Sequence, residues 1–318
     1  MRVTVAICTW NRCQRLRRTL QSITMLDLPP GLWWELLVID NASNDATSEV
    51  VSSFSGRLPV RCIPEPAPGL SHARNRAVRE AVGEYIVFTD DDVLVDKDWL
   101  ASYCRAFARW PGADVFGGPI EPLFEGTPPE WIHRMLGQIG PVFGRQYLGN
   151  VMVPLRPDMV SEGPYGANMA MSKAALLKFP FDPMLGVRHE QYRIGEETQV
   201  IRRMLLAGLE GWWSPEPKLQ HVIPVESQSL SFVRRWMVGA GRTLGQPTFD
   251  GSTQHIETNL RLRLRILKYE SLYLARRFTS DPEVWLPYLV ISSQAQGRLL
   301  ARRGSAAITN HGSSRGGS

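Results

Sequence analysis

Glu84-Tyr85-Ile86-Val87-Phe88-Thr89 runs directly into Asp90-Asp91-Asp92. The first six residues are long and apolar enough for a strand covered on both faces, so the three carboxylates must stand where that strand ends. Val3 to Cys8 leads in the same way into Thr9-Trp10-Asn11-Arg12, and Glu35 to Asp40 into Asn41-Ala42-Ser43. Val60 to Pro64 and Ala113 to Gly117 complete a set of five expected strands.

Helical periodicity fills the gaps. Asn11 is placed to N-cap a helix carrying Leu16, Leu20 and Ile23, and Ser71 to cap one carrying Arg74, Ala77, Val78 and Ala81, with Gly83 as its stop. Asp45 to Phe54 and Lys97 to Trp110 add two more. Repeated β-α units of this length predict an α/β fold with a mostly parallel sheet and right-handed crossovers. From 121 to 163 the pattern breaks into Pro, Gly and aromatic residues, too long for a simple connection, and is read as a partly ordered insertion or lid. Order resumes at 166–177, and a helix is expected from Glu196 to Leu206, stopped by Gly208.

Charge divides the chain. Residues 225–318 carry 13 Lys and Arg against 6 Asp and Glu, so the net charge of +5 belongs to the C-terminal third and the rest is slightly acidic. That third reads as two or three basic helices over 225–303. Leu260, Leu264, Leu267, Leu274 and Phe278 form one stripe, although the Leu-Arg alternation at 260–265 also fits a strand. Residues 304–318 are Gly/Ser-rich and expected to be disordered. These helices lack the aromatic interleaving of a nucleic-acid module, so no nucleic-acid partner is expected. A solvated basic cap is the plainest reading; a peripheral membrane contact and a homo-oligomer contact stay open. No signal peptide or membrane-spanning run is evident, and the spacing of the four cysteines fits neither a zinc site nor a disulfide framework. Reduced, mostly buried thiols and a cytoplasmic location follow, on the cytoplasmic face of a membrane if the basic helices bind one.

In an open α/β sheet, ligands bind beyond the carboxyl ends of the strands, where these polar residues gather. Adjacent carboxylates repel unless a cation or hydrogen bonds hold them, and hard oxygen donors suit Mg²⁺ or Mn²⁺. A solvated acidic turn is the alternative.

Val5 to Arg12, Val38 to Ser43, Gly69 to Asn75, Thr89 to Asp92, Gly166-Ala167-Asn168-Met169-Ala170, Gly195-Glu196-Glu197 and His221 to Pro224 together resemble the ordered motifs of the family 2 glycosyltransferases over about residues 1–225. The resemblance implies a GT-A type, Rossmann-like catalytic domain over 1–224, with a helical C-terminal extension. It implies an inverting transfer from a nucleotide-diphosphate sugar, UDP-sugar favoured, to an acceptor hydroxyl. It places Thr9, Trp10, Asn11, Arg12, Asp40, Arg74, Asp90 and Asp91 around the nucleotide, and Asp92, Asp90 and His221 on the metal. Gly166, Ala167 and Asn168 fall on the acceptor side, beside an acceptor glycan that is lipid-linked or a small molecule.

The family's Glu-Asp pair is Glu196-Glu197 here. Glu197 takes the place of the base with one extra methylene, and Glu196 is the second candidate. Trp10 stands where the family often has tyrosine. Arg74 on an exposed helix face and His221 as a packed histidine are the ordinary alternatives. An inactive sugar-nucleotide-binding scaffold is the rival function. A sugar nucleotidyltransferase fits less well, because Thr9–Arg12 lacks the glycines of a triphosphate loop.

Overall fold

The computed structural model describes residues 1–159, 163–186, 194–244 and 257–312. They group into two units: 1–125 with 143–159, 163–186 and 196–223, and 126–142 with 194–195, 224–244 and 257–312. The stretch 121–163, read from sequence as one insertion, is divided between them.

The first unit is built on β1 (Arg2–Thr9), β2 (Trp33–Asp40), β3 (Val60–Pro64) and β4 (Tyr85–Thr89). β2 and β4 flank β1 in parallel register, and β3 is parallel to β2. Val3, Val5, Ala6 and Ile7 are fully buried, as are Leu36 to Ile39, which explains the unbroken apolarity of these strands. α1 (Cys13–Ile23) lays Leu16, Leu20 and Ile23 on the sheet; each such burial contributes roughly 1.5–3 kcal/mol relative to exposure. α2 (Thr47–Ser52) and α3 (Leu70–Glu80) provide the other crossovers. Two expected caps shift. Arg12 rather than Asn11 occupies the N-cap of α1, because Asn11 turns the chain at φ 52°, and Gly69 at φ 128° precedes α3, leaving Ser71 inside the helix.

After β4 come β5 (Val93–Val95), α4 (Trp99–Arg109), β6 (Val115–Gly117), β7 (Ile120–Phe124) and, in the second unit, α5 (Glu130–Ile139). β8 (Val153–Pro154), β9 (Met169–Ser172), α6 (Lys173–Lys178), α7 (Glu196–Leu206), β10 (Gly211–Trp213) and β11 (Leu219–Ile223) complete the first unit. The eight-stranded sheet runs β3-β2-β1-β4-β9-β6-β10-β8 and is mostly parallel, but β9 lies antiparallel between β4 and β6. A second sheet runs β5-β11-β7. Cys104 is buried and the other three thiols are half-buried, so the cysteines are less enclosed than expected.

The second unit adds α8 (Leu230–Leu244), α9 (Asn259–Arg276) and α10 (Pro282–Gly312). A bidentate pair from Arg234 to Glu270, at 3.0 and 2.8 Å, ties α8 to α9, and the Ser292 hydroxyl of α10 donates to the same carboxylate at 2.7 Å. The Leu-Arg alternation at 260–265 is helix, not strand. The stripe Leu260, Leu264, Leu267, Leu274 and Phe278 faces outward, while Leu262 and Tyr273 make the buried contacts. The tail expected to be disordered from 304 is helical as far as Gly312, since extending a helix costs far less than starting one; residues 313–318 lie outside the described residues.

Candidate active site

The aspartate triplet spans the turn from β4 to β5, between the two sheets. Asp91 is 3% exposed. It accepts the Thr9 hydroxyl at 2.7 Å, and Arg12 Nη1 lies 3.1 Å from both Asp91 Oδ1 and Asp92 Oδ2. One guanidinium thus bridges two neighbouring carboxylates and offsets part of their repulsion. Burial pushes the Asp91 carboxyl up to about 6, against the pull of Arg12. Burial acts on Asp92 in the same sense, but His221 and Arg12 bring it down to about 2. Asp90 is raised, by burial and then by the charge of Asp92.

His221 reaches the triplet through the small sheet, where β11 sets it opposite Val93 and the Val222 amide donates to the Asp92 carbonyl at 2.8 Å. Its Nε2 stands 3.2 Å from Asp92 Oδ1, and its Nδ1 lies 3.0 Å from the Phe143 carbonyl oxygen. A carbonyl can only accept, so Nδ1 carries a proton and Nε2 is directed at the carboxylate. Gly144, at φ 72°, makes room for the ring: a Cβ there would lie 2.8 Å from Nδ1. Burial lowers the imidazole pKa, but Asp92 outweighs it and holds the ring up at about 9. The Asp92 carboxylate is a hard oxygen donor of the kind that suits Mg²⁺ or Mn²⁺, and His221, whose far nitrogen is held by a carbonyl, would join it only after losing its Nε2 proton. Asp90 does not complete a three-ligand set, and among the described residues no three His, Cys, Asp or Glu side chains gather to hold a metal ion.

Arg74 is not an exposed helix arginine. It is 3% exposed, its Nη1 donates to Glu196 Oε1 at 2.7 Å, and its guanidinium stacks 5.5 Å from the Phe181 ring centroid. Gly166 lets the backbone close over it, since a Cβ there would lie 2.0 Å from Nη2. Desolvation opposes the charge of Arg74, yet Glu196, Glu197 and Asp90 together hold its pKa above the ordinary value. The two glutamates at the start of α7 differ sharply. Glu196 is buried and paired; Glu197 Oε2 is buried, 3.8 Å from Arg74 Nη1, and makes no hydrogen bond among the described residues. Burial, reinforced by the charge of Glu196 and partly offset by Arg74, pushes the Glu197 carboxyl up to about 8.

The turns after β1 and β2 lock together. The Asn11 amide donates to Ser43 Oγ at 2.9 Å, Asn11 Oδ1 accepts from the Asn44 amide at 2.6 Å, and Asp40 Oδ1 accepts from the Ser43 amide at 2.9 Å. Trp10 keeps 38% of its surface exposed, so it belongs to this rim and not to the core. Sequence reasoning missed Asn41. Its side chain donates to the Glu65 and Ala67 carbonyls at 2.9 and 2.7 Å and accepts the Gly69 amide at 2.7 Å, fixing the entry to α3.

Of Gly166, Ala167 and Asn168, expected on the acceptor side, Asn168 commits its side chain to the fold. Asn168 is fully buried: its Oδ1 accepts from Trp99 Nε1 and the Tyr103 hydroxyl at 2.8 and 2.9 Å, and its Nδ2 donates to the Pro119 and Pro217 carbonyls at 2.8 and 2.6 Å. All four hydrogen-bonding positions of the amide are used, so none is left for an acceptor hydroxyl. The Ala167 carbonyl accepts the Thr89 hydroxyl at 2.8 Å.

Known proteins fit this arrangement. A succinoglycan biosynthesis protein of Rhizobium meliloti, ExoM, is 24% identical over 251 residues, 77% of this chain and 75% of that one. The validoxylamine A glucosyltransferase of Streptomyces hygroscopicus subsp. limoneus is 31% identical over 149 residues, 42% of this chain and 33% of that one. Among solved structures, residues 1–349 of Staphylococcus aureus TarS with UDP-GlcNAc superpose at TM-score 0.54 with 14% identity, over 96% of this chain and 92% of that one. The mannosyltransferase PcManGT of Pyrobaculum calidifontis with GDP-Man and Mn²⁺ superposes at 0.53 with 19% identity, over 99% and 76%. These structures share the α/β sheet with its flanking helices. Residues 4–177, more than half of the chain and spanning β1 through most of α6, match the model of glycosyl transferase family 2. On that match the chain belongs to glycosyl transferase family 2.

Proposed function

We propose that the chain transfers a sugar with inversion from a nucleotide-diphosphate donor to an acceptor hydroxyl, with Glu197 as the base. The observation that carries this reading is the enclosed, unbonded Glu197 Oε2 beside the Arg74–Glu196 pair. A carboxylate with a free lone pair and a raised pKa is prepared to take a proton, whereas Glu196 spends its charge on Arg74. The acceptor oxygen bonds to the anomeric carbon as its proton passes to Glu197. The bond from that carbon to the diphosphate breaks, and its electron pair leaves with the phosphate oxygen.

Asp92 and His221 would hold a divalent ion, which supplies charge neutralisation for the departing diphosphate. Arg12 adds a fixed positive charge at the same rim, and Asp40, Asn11 and Trp10 stand at the turns where a base and ribose fit. UDP-GlcNAc in one structural relative and GDP-Man with Mn²⁺ in another support a nucleotide-sugar donor; the preference for uridine rests on the family resemblance alone.

A thermal-shift panel of UDP-, GDP- and dTDP-sugars, each with and without Mn²⁺, identifies the donor. Proton NMR of the product then gives its anomeric configuration. Stabilisation by a UDP-sugar that deepens with Mn²⁺, followed by an inverted product, is expected; a retained configuration contradicts the mechanism.

A further inference from the structure

We propose that the outer face of α9 lies on an anionic phospholipid bilayer. Leu260, Leu264, Leu267, Leu274 and Phe278 are each more than half exposed. At 100° per residue the four leucines fall within a sector of about 80°, one continuous stripe along the helix, and Phe278 follows in the turn just past its end. The opposite face is already occupied, since Leu262 and Tyr273 are buried. The helix therefore has two apolar faces, and the packing of its own unit explains only one.

Cations wall the stripe on both sides. Exposed Arg261 and Lys268 flank one edge, and exposed Arg263 and Arg277 the other. The Arg277 guanidinium rests 4.2 Å from the Phe278 ring centroid, so charge and aromatic surface form one group at the helix end. The acid within α9, Glu270, is turned inward and engaged by Arg234 and Ser292. A cavity of about 380 Å³ borders the stripe at Leu274, with Arg234, Arg235 and Arg277 in its wall and Glu270 beside them, paired to Arg234. It is roomy enough for a phosphate headgroup.

This charge pattern separates the possible occupants. A second copy laid on the same face would bring cationic walls against cationic walls, with no carboxylate on the stripe to answer them. A bilayer meets both requirements, because acyl chains take the leucines while lipid phosphates pair with the Arg and Lys borders. No described helix is long and apolar enough to cross a membrane, so the contact is along the surface.

The test is co-sedimentation of the full chain with vesicles of phosphatidylcholine alone and of phosphatidylcholine mixed with phosphatidylglycerol. Roughly tenfold or stronger preference for the anionic vesicles is expected, weakening as salt rises. The double variant Leu267→Gln/Leu274→Gln should lose that binding while keeping the wild-type melting temperature, since both side chains are already in water. Arg261→Gln/Lys268→Gln should reduce it by roughly tenfold, which keeps the test sound if the leucine variant folds poorly. Equal binding to both vesicle types, or binding unchanged in both variants, overturns the proposal. So does a concentration-dependent dimer without vesicles that the leucine variant abolishes, because the stripe would then belong to a second copy.

Discussion

Glu35 and Glu197 are carboxylates of the same α/β unit, both largely withdrawn from water, and their surroundings are opposite in kind. Glu35, near the start of β2, accepts the Thr4 hydroxyl and the Val82 amide at 2.8 Å each and pairs with Arg61 at 3.0 Å. The Gly83 amide in turn donates to Thr4 at 2.9 Å, so the amino-terminal end of the sheet is stitched by a network with its members satisfied. Glu197 belongs with Arg74 and Cys8 at the carboxyl end, where one carboxylate oxygen is enclosed and unbonded. The first environment meets its carboxylate with two hydrogen bonds and an ion pair. The second keeps a charge under strain that proton transfer relieves, and that separates a structural acid from a reactive one.

The contrast can be broken experimentally. The largest expected effect is on Glu197→Gln, which should slow turnover of the identified donor by roughly 10²–10⁴-fold while leaving donor-induced thermal stabilisation intact. Near-normal turnover would move the base to Glu196. Next is Arg74→Met, which leaves Glu196 buried without its partner and should cost about 3–5 kcal/mol in urea unfolding. A loss under about 1 kcal/mol would mean the pair is solvated. Glu35→Ala should cost about 1–3 kcal/mol by orphaning the Thr4 hydroxyl and the Val82 amide, with kcat/KM per folded molecule unchanged. A large fall in kcat/KM would erase the distinction between the two ends.

A further effect is on the pH dependence of stability. The folded state raises the Glu197 pKa from the ordinary glutamate value of 4.5 to about 8, so it binds the proton more tightly than the unfolded chain does. That stabilisation is complete below the unfolded value and is lost as pH rises through about 8. Glu197→Gln should flatten this decline; an unchanged slope between wild type and variant would show that Glu197 titrates normally.

Much of this contrast was legible in the sequence. β1, β2 and β4 are buried on both faces, so their residues form continuous apolar runs, and the polar clusters that follow mark the sheet's carboxyl end. The resemblance to the family's Glu-Asp pair points to Glu197, while helix geometry says only that Glu196 and Glu197 do not both face the donor. The partners were not legible. β9 is four residues long and enters the sheet antiparallel, some eighty positions away from the strand it pairs with. His221 meets Asp92 only through the register of β11 against β5, a non-local pairing that leaves no periodic trace. Asn41 and Asn168 look like ordinary loop residues until their amides are traced to buried carbonyls. The outward stripe of α9 was visible as a stripe, but which face of a helix is covered depends on its neighbours and not on its own pattern.

The most direct test of the Glu197 assignment is the pH profile of kcat/KM for the wild-type chain with its donor and acceptor. A base held at about 8 must lose its proton before it can act, so the rate should climb with pH along an acid limb centred near 8. A profile that is level from about pH 6 to 9 would mean that the enclosed carboxylate is not the group that takes the proton.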